Sequence, residues 1–564
     1  MNILYEKLGY DFVISNLSLV IMYFIAVMFT FPLESVLLPR LYGNLFEKIK
    51  SNDKKNNTNP FNIFENIKSF NIPGILSLVA ITWLTVTIGH TSKHSIESKL
   101  IPNYLSFIRN KIFSSIIDNK STNFSDVKSG DLITRILDVS RAMRYLFQWI
   151  VSKFLPEIIG LTTVLIYSFF INKNIGLILI TGIVLLICIG YFAGKNVINF
   201  SKEREKGFLH TCEKLNDNFT NLMNIFLNNQ DKNETKNNAN MNNDHSDVLK
   251  QQMNLERNFV LIMQLIVIAT YSCALFYGYN LFSSNIIKVS TFISLILILG
   301  NYLSYLLTLN HSIISHVCGT FGNVMASEEF LTKILKPVKS KNHKNFITKG
   351  DIFFDKIHFK YNDKKHIFKD FSMKIKGNSK TGIVGQSGSG KSSLMRMLVL
   401  INKPEKGKIM VDNTNILDAD SKYIRNQITY VNQRTVLFNK SVIDNILYGN
   451  DVSKEKAINT LKRYDLLSIY NKLNNGVNSQ AGVNGNNLSG GMQKVTILMR
   501  GILKSSKIII FDEPLAGLDS NTRAKVMKMI NHECRYKTVI VITHDKEILT
   551  YMDQTINLNK FKQF

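Results

Sequence analysis

The chain has 564 residues, 45% of them hydrophobic, with 68 lysines and arginines against 42 aspartates and glutamates, a formal charge of +26. That length exceeds what one hydrophobic core organises, so at least two domains are expected. Lysine dominates the positive charge amid abundant asparagine and isoleucine, which suits a solubilising surface with some attraction to anionic headgroups rather than nucleic-acid binding.

In chain order, Met1–Asp11 reads as a short amphipathic helix lying on a membrane face, being neither an Arg-rich presequence nor a cleavable signal. Six apolar runs follow. Phe12–Leu33, Ser69–Ser92, Asn174–Gly194 and Asn258–Ile287 carry no charge, Leu155–Asn172 carries only Glu157, and the last extends from Val289 to about Thr308. Each matches the roughly 20 residues that cross a bilayer. Six in succession are not the pattern of buried helices in a soluble protein, so six membrane spans are expected. Glu34, Arg40 and Glu157 lie close to run ends, where an interfacial position competes with a role in substrate contact. The polar side of the last run, with Asn301, Tyr302 and Tyr305, is equally open.

The connections between runs are uneven. About sixty residues separate the second run from the third (Lys93–Lys153) and the fourth from the fifth (Lys195–Arg257), whereas Asn172–Asn174 and Lys288 are minimal links. Ile101–Ile117, Asp131–Phe147 and Cys212–Phe226 repeat apolar residues at three- and four-residue spacing, which predicts helices running past the bilayer and turning near Asp118–Ser129 and Asn228–Asp244. The second turn is rich enough in Asn and Asp for a disordered loop to compete. An even number of spans places both chain ends on one side. The five cysteines, odd in number and without C-x-x-C spacing, indicate neither a disulfide framework nor a metal site. The pattern changes at Ser327, giving expected units at 1–326 (membrane), 327–350 (basic linker) and 351–564, the last alternating β and α patterns as a soluble α/β fold does.

Within that last unit, Gly385-Gln386-Ser387-Gly388-Ser389-Gly390-Lys391-Ser392 fits G-x-x-x-x-G-K-[ST], between the apolar strand Thr381–Val384 and the helical pattern Ser393–Leu400. A strand–loop–helix of this kind aims backbone N–H groups and the positive end of a helix at phosphates. Lys391 would reach β- and γ-phosphates and Ser392 would offer a hydroxyl to Mg²⁺. Further along, Ile508–Phe511 is an apolar strand running into Asp512 and Glu513, and Thr538–Ile542 is another, closely followed by His544. Asp512 and Glu513 are neighbours on a strand and would point opposite ways, so a bend at the strand end must restore the reach of Glu513.

Together with Leu488-Ser489-Gly490-Gly491-Met492, these motifs resemble, over essentially the full chain, the half-size ATP-binding cassette (ABC) transporters of the exporter type. The resemblance implies a helical transmembrane domain followed by an α/β P-loop ATPase, with ATP and Mg²⁺ as cofactors. Tyr361 would stack on adenine, and Gly385 to Ser393 would cradle the phosphates. Gln433 would contact Mg²⁺ and water, Asp512 would orient Mg²⁺, Glu513 would act as general base and His544 would touch the γ-phosphate. Leu488–Met492 would be the signature that meets the ATP of a partner subunit, and Asp519, in Ala516–Asp519, would communicate across the dimer. Met492 departs from the family's usual Gln, and Gln493-Lys494-Val495 departs from its basic run; Arg500 falls where the family keeps an arginine. One P-loop and one signature cannot close a site alone. The implied protein is therefore a multi-pass dimer, expected as a homodimer in a lipid bilayer, with cassettes and both termini in the cytosol, moving a substrate that the sequence does not identify. A nucleotide-gated channel or channel regulator of the same architecture is the alternative.

Overall fold

The computed structural model describes residues 2–51, 71–119, 129–328, 331–332, 347–361, 366–433 and 435–561. Two compact units emerge: Met1–Ile117 with Val127–Lys336, and Asp118–Asp126 with Pro337–Phe564. Most of the first expected turning point near Asp118–Ser129, and the linker residues 333–346, lie outside the described residues.

The first unit is helical. After α1 (Asn2–Ser15) come six helices long and apolar enough to cross a membrane, with the turn helix α6 (Leu222–Leu227) between the fourth and fifth: α2 (Leu17–Lys50), α3 (Ile72–Asp118), α4 (Leu132–Ile171), α5 (Lys173–Thr220), α7 (Asp231–Ser283) and α8 (Val289–Ala326). At 1.5 Å per residue α3, α5 and α7 reach about 70–80 Å, more than twice a hydrocarbon core of roughly 30 Å. Each of the six helices holds one apolar run, and the ends of α3, α4 and α5 carry the helical periodicity of the long connections.

Three local differences from the sequence reading have physical causes. The N-terminal helix does not act as an isolated amphipathic surface segment: Leu8 and Phe12 are buried, and the Phe12 ring meets Tyr104, Phe107 and Phe147 at 5.0–5.6 Å. The Asn/Asp-rich stretch is helix rather than loop. Asp231 and Glu234 occupy the first turn of α7, where acids suit the helix dipole, and Asn218 Nδ2 donates to Glu234 Oε2 at 3.2 Å. Finally, α2, α4 and α8 each contain a wide π-type turn, at Leu33–Leu37, Ile150–Phe154 and Ile313–Cys318. The first adjoins Pro32 and the second precedes Pro156, residues that lack an N–H for the regular ladder.

Helices approach closely where side chains are small. A Cβ on Gly43 of α2 would strike Ser290 and Ser294 of α8, and one on Gly160 of α4 would lie 2.8 Å from the Tyr305 ring. Membrane helices lack a hydrophobic drive toward one another and associate through such close packing.

The second unit carries two sheets. One is antiparallel, in the order β2-β1-β4-β5, formed by β1 (Ile352–Phe359), β2 (Phe368–Ile375), β4 (Lys406–Val411) and β5 (Thr414–Asn415). The other is parallel, in the order β6-β7-β8-β3-β9, from β3 (Lys380–Val384), β6 (Ile428–Val431), β7 (Ile508–Asp512), β8 (Thr538–Ile542) and β9 (Gln554–Asn557). β7 and β8 are buried along their whole length, as the continuous apolar runs Ile508–Phe511 and Thr538–Ile542 require of strands covered on both faces. Alternate residues enter two different hydrophobic clusters. Ile508, Ile510, Ile540 and Ile542 join the cluster under α9 (Lys391–Leu398), while Ile509, Phe511, Val539 and Val541 join that under α13 (Gly490–Ile502). Between α9 and α13 lie α10 (Ser421–Gln427), α11 (Val442–Leu447) and α12 (Lys454–Arg463).

Candidate functional site at the carboxyl edge of the parallel sheet

In a parallel sheet all carboxyl ends fall on one edge, and the crevice outside that edge is where ligands bind. Here the edge collects, in spatial order, Gln433 just past β6, Asp512 and Glu513 at the end of β7, His544 two residues past β8 and the P-loop directly after β3. Motifs separated by up to about 160 residues of chain thus share one line, because every strand of a parallel sheet ends on the same edge.

The loop from Gly385 to Gly390 turns on two glycines in the left-handed region, Gly388 at φ +76° and Gly390 at φ +94°. A side chain at Gly390 would also place its Cβ 2.5 Å from the Phe368 ring. Lys391 begins α9, and its Nζ donates to the carbonyls of Gly385 at 2.6 Å and Gln386 at 3.0 Å. Ser389 is 2% exposed and its hydroxyl has no hydrogen-bond partner among the described residues. A buried orphan hydroxyl inside a cradle of backbone amides fits an arriving phosphate oxygen. Ser393 follows Ser392 in the first turn of α9, its hydroxyl 3.0 Å from that of half-buried Tyr361, which also accepts from Asn402 Nδ2 at 3.0 Å.

Asp512 is buried. Its Oδ2 accepts from Ser392 Oγ at 3.1 Å and from Tyr430 Oη at 2.9 Å. Burial raises the Tyr430 phenol far above its ordinary value, and the Asp512 charge raises it further, so Tyr430 stays a proton donor to the carboxylate. The bend required after the strand is present: Glu513 has φ +50°, and its N–H donates to Ile542 O at 2.9 Å. A non-glycine residue in that region carries backbone strain, a feature concentrated at functional positions. Hard oxygen donors from a hydroxyl, a carboxylate and the nearby Gln433 amide form a donor set suited to Mg²⁺.

The signature lies in the other hydrophobic cluster. Ser489 and Gly490 are exposed at the start of α13, where Ser489 Oγ accepts from Met492 N at 3.4 Å. Leu488 and Met492 are buried, so Met492 offers its backbone rather than its side chain at the helix start. Lys494 sits two residues further on. Burial pushes its ammonium below the ordinary lysine value, and the nearby carboxylates of Asp512 and Glu513 oppose that shift. His544 and Gln433 are exposed. Asp519 caps α14 (Ser520–Glu533), accepting from Thr522 N at 3.0 Å; that bond lowers its carboxyl below the ordinary range.

The structure therefore brings the P-loop, Gln433, Asp512, Glu513 and His544 to one edge and leaves the signature on a separate cluster. Tyr430 and Lys494 were not singled out as site residues by the sequence. Tyr430 lies three residues before Gln433, and only the pairing of β6 with β7 reveals that its hydroxyl faces Asp512.

A nucleotide-cradling edge in a chain with six membrane-length helices defines the class. The family model for the ABC transporter transmembrane region matches residues 17–307, and that for the ABC transporter matches residues 368–516. The chain belongs to the ABC transporter family. Among curated relatives, the alpha-hemolysin translocation ATP-binding protein HlyB of Escherichia coli O157:H7 is 32% identical over 287 residues, half of this chain and 40% of that protein. A putative export ATP-binding/permease protein of Rickettsia bellii (strain RML369-C) is 26% identical over 465 residues, covering 80% of this chain and 79% of its own. The chain thus spans well under two thirds of the first relative and about four fifths of the second. A bacterial Atm1-family ABC exporter, solved with ATP bound, has the same fold at a TM-score of 0.80 and 18% identity, over 98% of this chain and 94% of that one.

Proposed function

We propose that this chain is one half of an ATP-driven exporter, working as a homodimer in a lipid bilayer, with 1–326 as the membrane unit, 327–350 as the linker and 351–564 as the ATPase. The convergence of Lys391, Ser392, Asp512, Glu513 and His544 on one sheet edge carries this reading. P-loop amides and Lys391 bind the β- and γ-phosphates of ATP, and Tyr361 stacks on the adenine. Glu513, turned out of the strand line, accepts the proton of the attacking water, and His544 contacts the γ-phosphate. Mg²⁺ bound at Ser392, Gln433 and Asp512 would neutralise phosphate charge. Exposed Ser489 and Gly490, flanked by Leu488, Gly491 and Met492, complete the site on the partner's ATP, and Asp519 lies at the seam.

ATP, held by donors of both subunits, draws the cassettes together; loss of the γ-phosphate contacts lets them part, driving alternating access. The even span count and the basic long connections support cassettes and termini in the cytosol. Relatives with translocation or export in their names favour a transporter over a nucleotide-gated channel, as does an intact acid at Glu513. Glu513→Gln tests the assignment: nucleotide binding should persist while ATP turnover falls at least about a hundredfold. A variant that hydrolyses ATP at the parental rate would refute the general-base role.

A further inference from the structure

At one end of the helical unit, the ends of α2 and α4, the link Ile286–Lys288 and the start of α8 meet around a cavity of about 610 Å³. Its wall includes Arg40, Lys48, Lys288 and Glu47, with the hydroxyls of Thr291 and Ser294 beside them. Three cations face one carboxylate, and no acid pairs with Arg40 or Lys288 among the described residues. The link between α2 and α3 carries Lys54, Lys55 and Lys68 against Asp53 and Glu65, so its sequence adds no net negative charge. Gly43, which only a glycine allows so close to Ser290 and Ser294, holds α2 against α8 and fixes the spacing of Arg40 and Lys48 relative to Thr291 and Ser294.

We propose that this cavity is a binding site for a phosphoryl anion, carried either by a lipid headgroup or by a soluble phosphate. Arg40 and Lys288, neither paired with an acid among the described residues, present two positive charges that match a phosphomonoester dianion better than a single carboxylate. Arginine supplies a planar fork, Lys288 supplies a mobile point charge, and the Thr291 hydroxyl adds a donor for phosphate oxygens. Basic pockets between membrane helices take anionic headgroups by this chemistry. The inference rests on the exporter reading only for its sidedness: with the cassettes cytosolic, this is the outer end, where a phosphate-bearing cargo would be held last before release.

The test uses the full chain in nanodiscs of phosphatidylcholine, alone or with phosphatidic acid, beside a double variant, Arg40→Gln with Lys288→Gln. Inorganic phosphate is titrated into the first set while the melting temperature is followed; retained phosphatidic acid is measured by native mass spectrometry in the second. Binding at least about tenfold weaker in the double variant is expected in one arm. A phosphate-dependent shift identifies a soluble anion, and retention of phosphatidic acid identifies a headgroup. The charge-preserving pair Arg40→Lys with Lys288→Arg should bind within a few-fold of the parent, which separates lost charge from lost folding. No binding in either arm, or equal binding by parent and double variant, overturns the proposal. Basal ATPase in neutral nanodiscs, expected unchanged in the double variant, is read separately: its absence in the parent would sink the exporter reading and leave the anion site standing.

Discussion

Asp512 Oδ2 is aimed by two hydroxyls from different elements, Ser392 at the start of α9 and Tyr430 in β6. Removing the phenolic hydroxyl leaves the carboxylate in place but less constrained. Tyr430→Phe should therefore raise the Mg²⁺ concentration for half-maximal ATPase about three- to tenfold, while metal-free nucleotide binding stays as it was. Unchanged metal dependence would show that Ser392 alone sets the carboxylate. This residue also marks the boundary of what a sequence discloses. The P-loop, the Asp512-Glu513 pair and the Leu488–Met492 signature were readable because their chemistry is compressed into a few consecutive positions. Tyr430 and Lys494 were not, since their meaning depends on which strand pairs with β6 and on which acids α13 approaches. The positive φ of Glu513 was anticipated only as a geometric need.

At the scale of elements, the turn between β4 and β5 anchors the start of the second unit. Asp412 Oδ2 accepts from the N–H groups of Thr348, Lys349 and Gly350, and its Oδ1 accepts from Asp351 N at 2.8 Å. Burial alone would raise this carboxyl, but the bonds from Gly350, Thr348 and Asp351 outweigh it and hold the group below its ordinary value of 3.8. A depressed folded value stabilises above the unfolded one and ceases to do so as pH falls through the depressed value. Asp412→Ala should cost about 1–3 kcal/mol at neutral pH. The gap in melting temperature between parent and variant should narrow as pH drops toward about 3. A gap independent of pH would mean the turn is held by its backbone alone. The elements themselves were largely legible: uncharged runs of bilayer length announce helices regardless of what they pack against. Less legible were the Asn/Asp-rich opening of α7, where composition argues for a loop and dipole and side-chain bonds argue for helix, and the three wide turns, which depend on prolines in only two cases.

For the whole molecule, the proposal that each ATP lies between the P-loop of one subunit and the signature of the other can be put to a complementation test. Lys391→Ala spoils one half of every site and Ser489→Arg the other, so either homodimer should be nearly inactive. Mixing the two before assembly yields dimers in which one site is built from an unmodified P-loop and an unmodified signature. ATPase should return to about a quarter of the parental rate for equal, random pairing. No recovery in verified mixed dimers would contradict the shared site.

The parallel sheet of the second unit has a consequence for how that unit comes apart. Because β7 and β8 send alternate side chains into the two clusters, the sheet is a party wall: neither room can be emptied while the other stays furnished. A slip of one residue in β7 would exchange the occupants of both rooms and carry Asp512 away from Ser392. Damage deep in the cluster under α13 should thus be felt at the opposite face, and calorimetry should read the two halves of this unit melting in a single step.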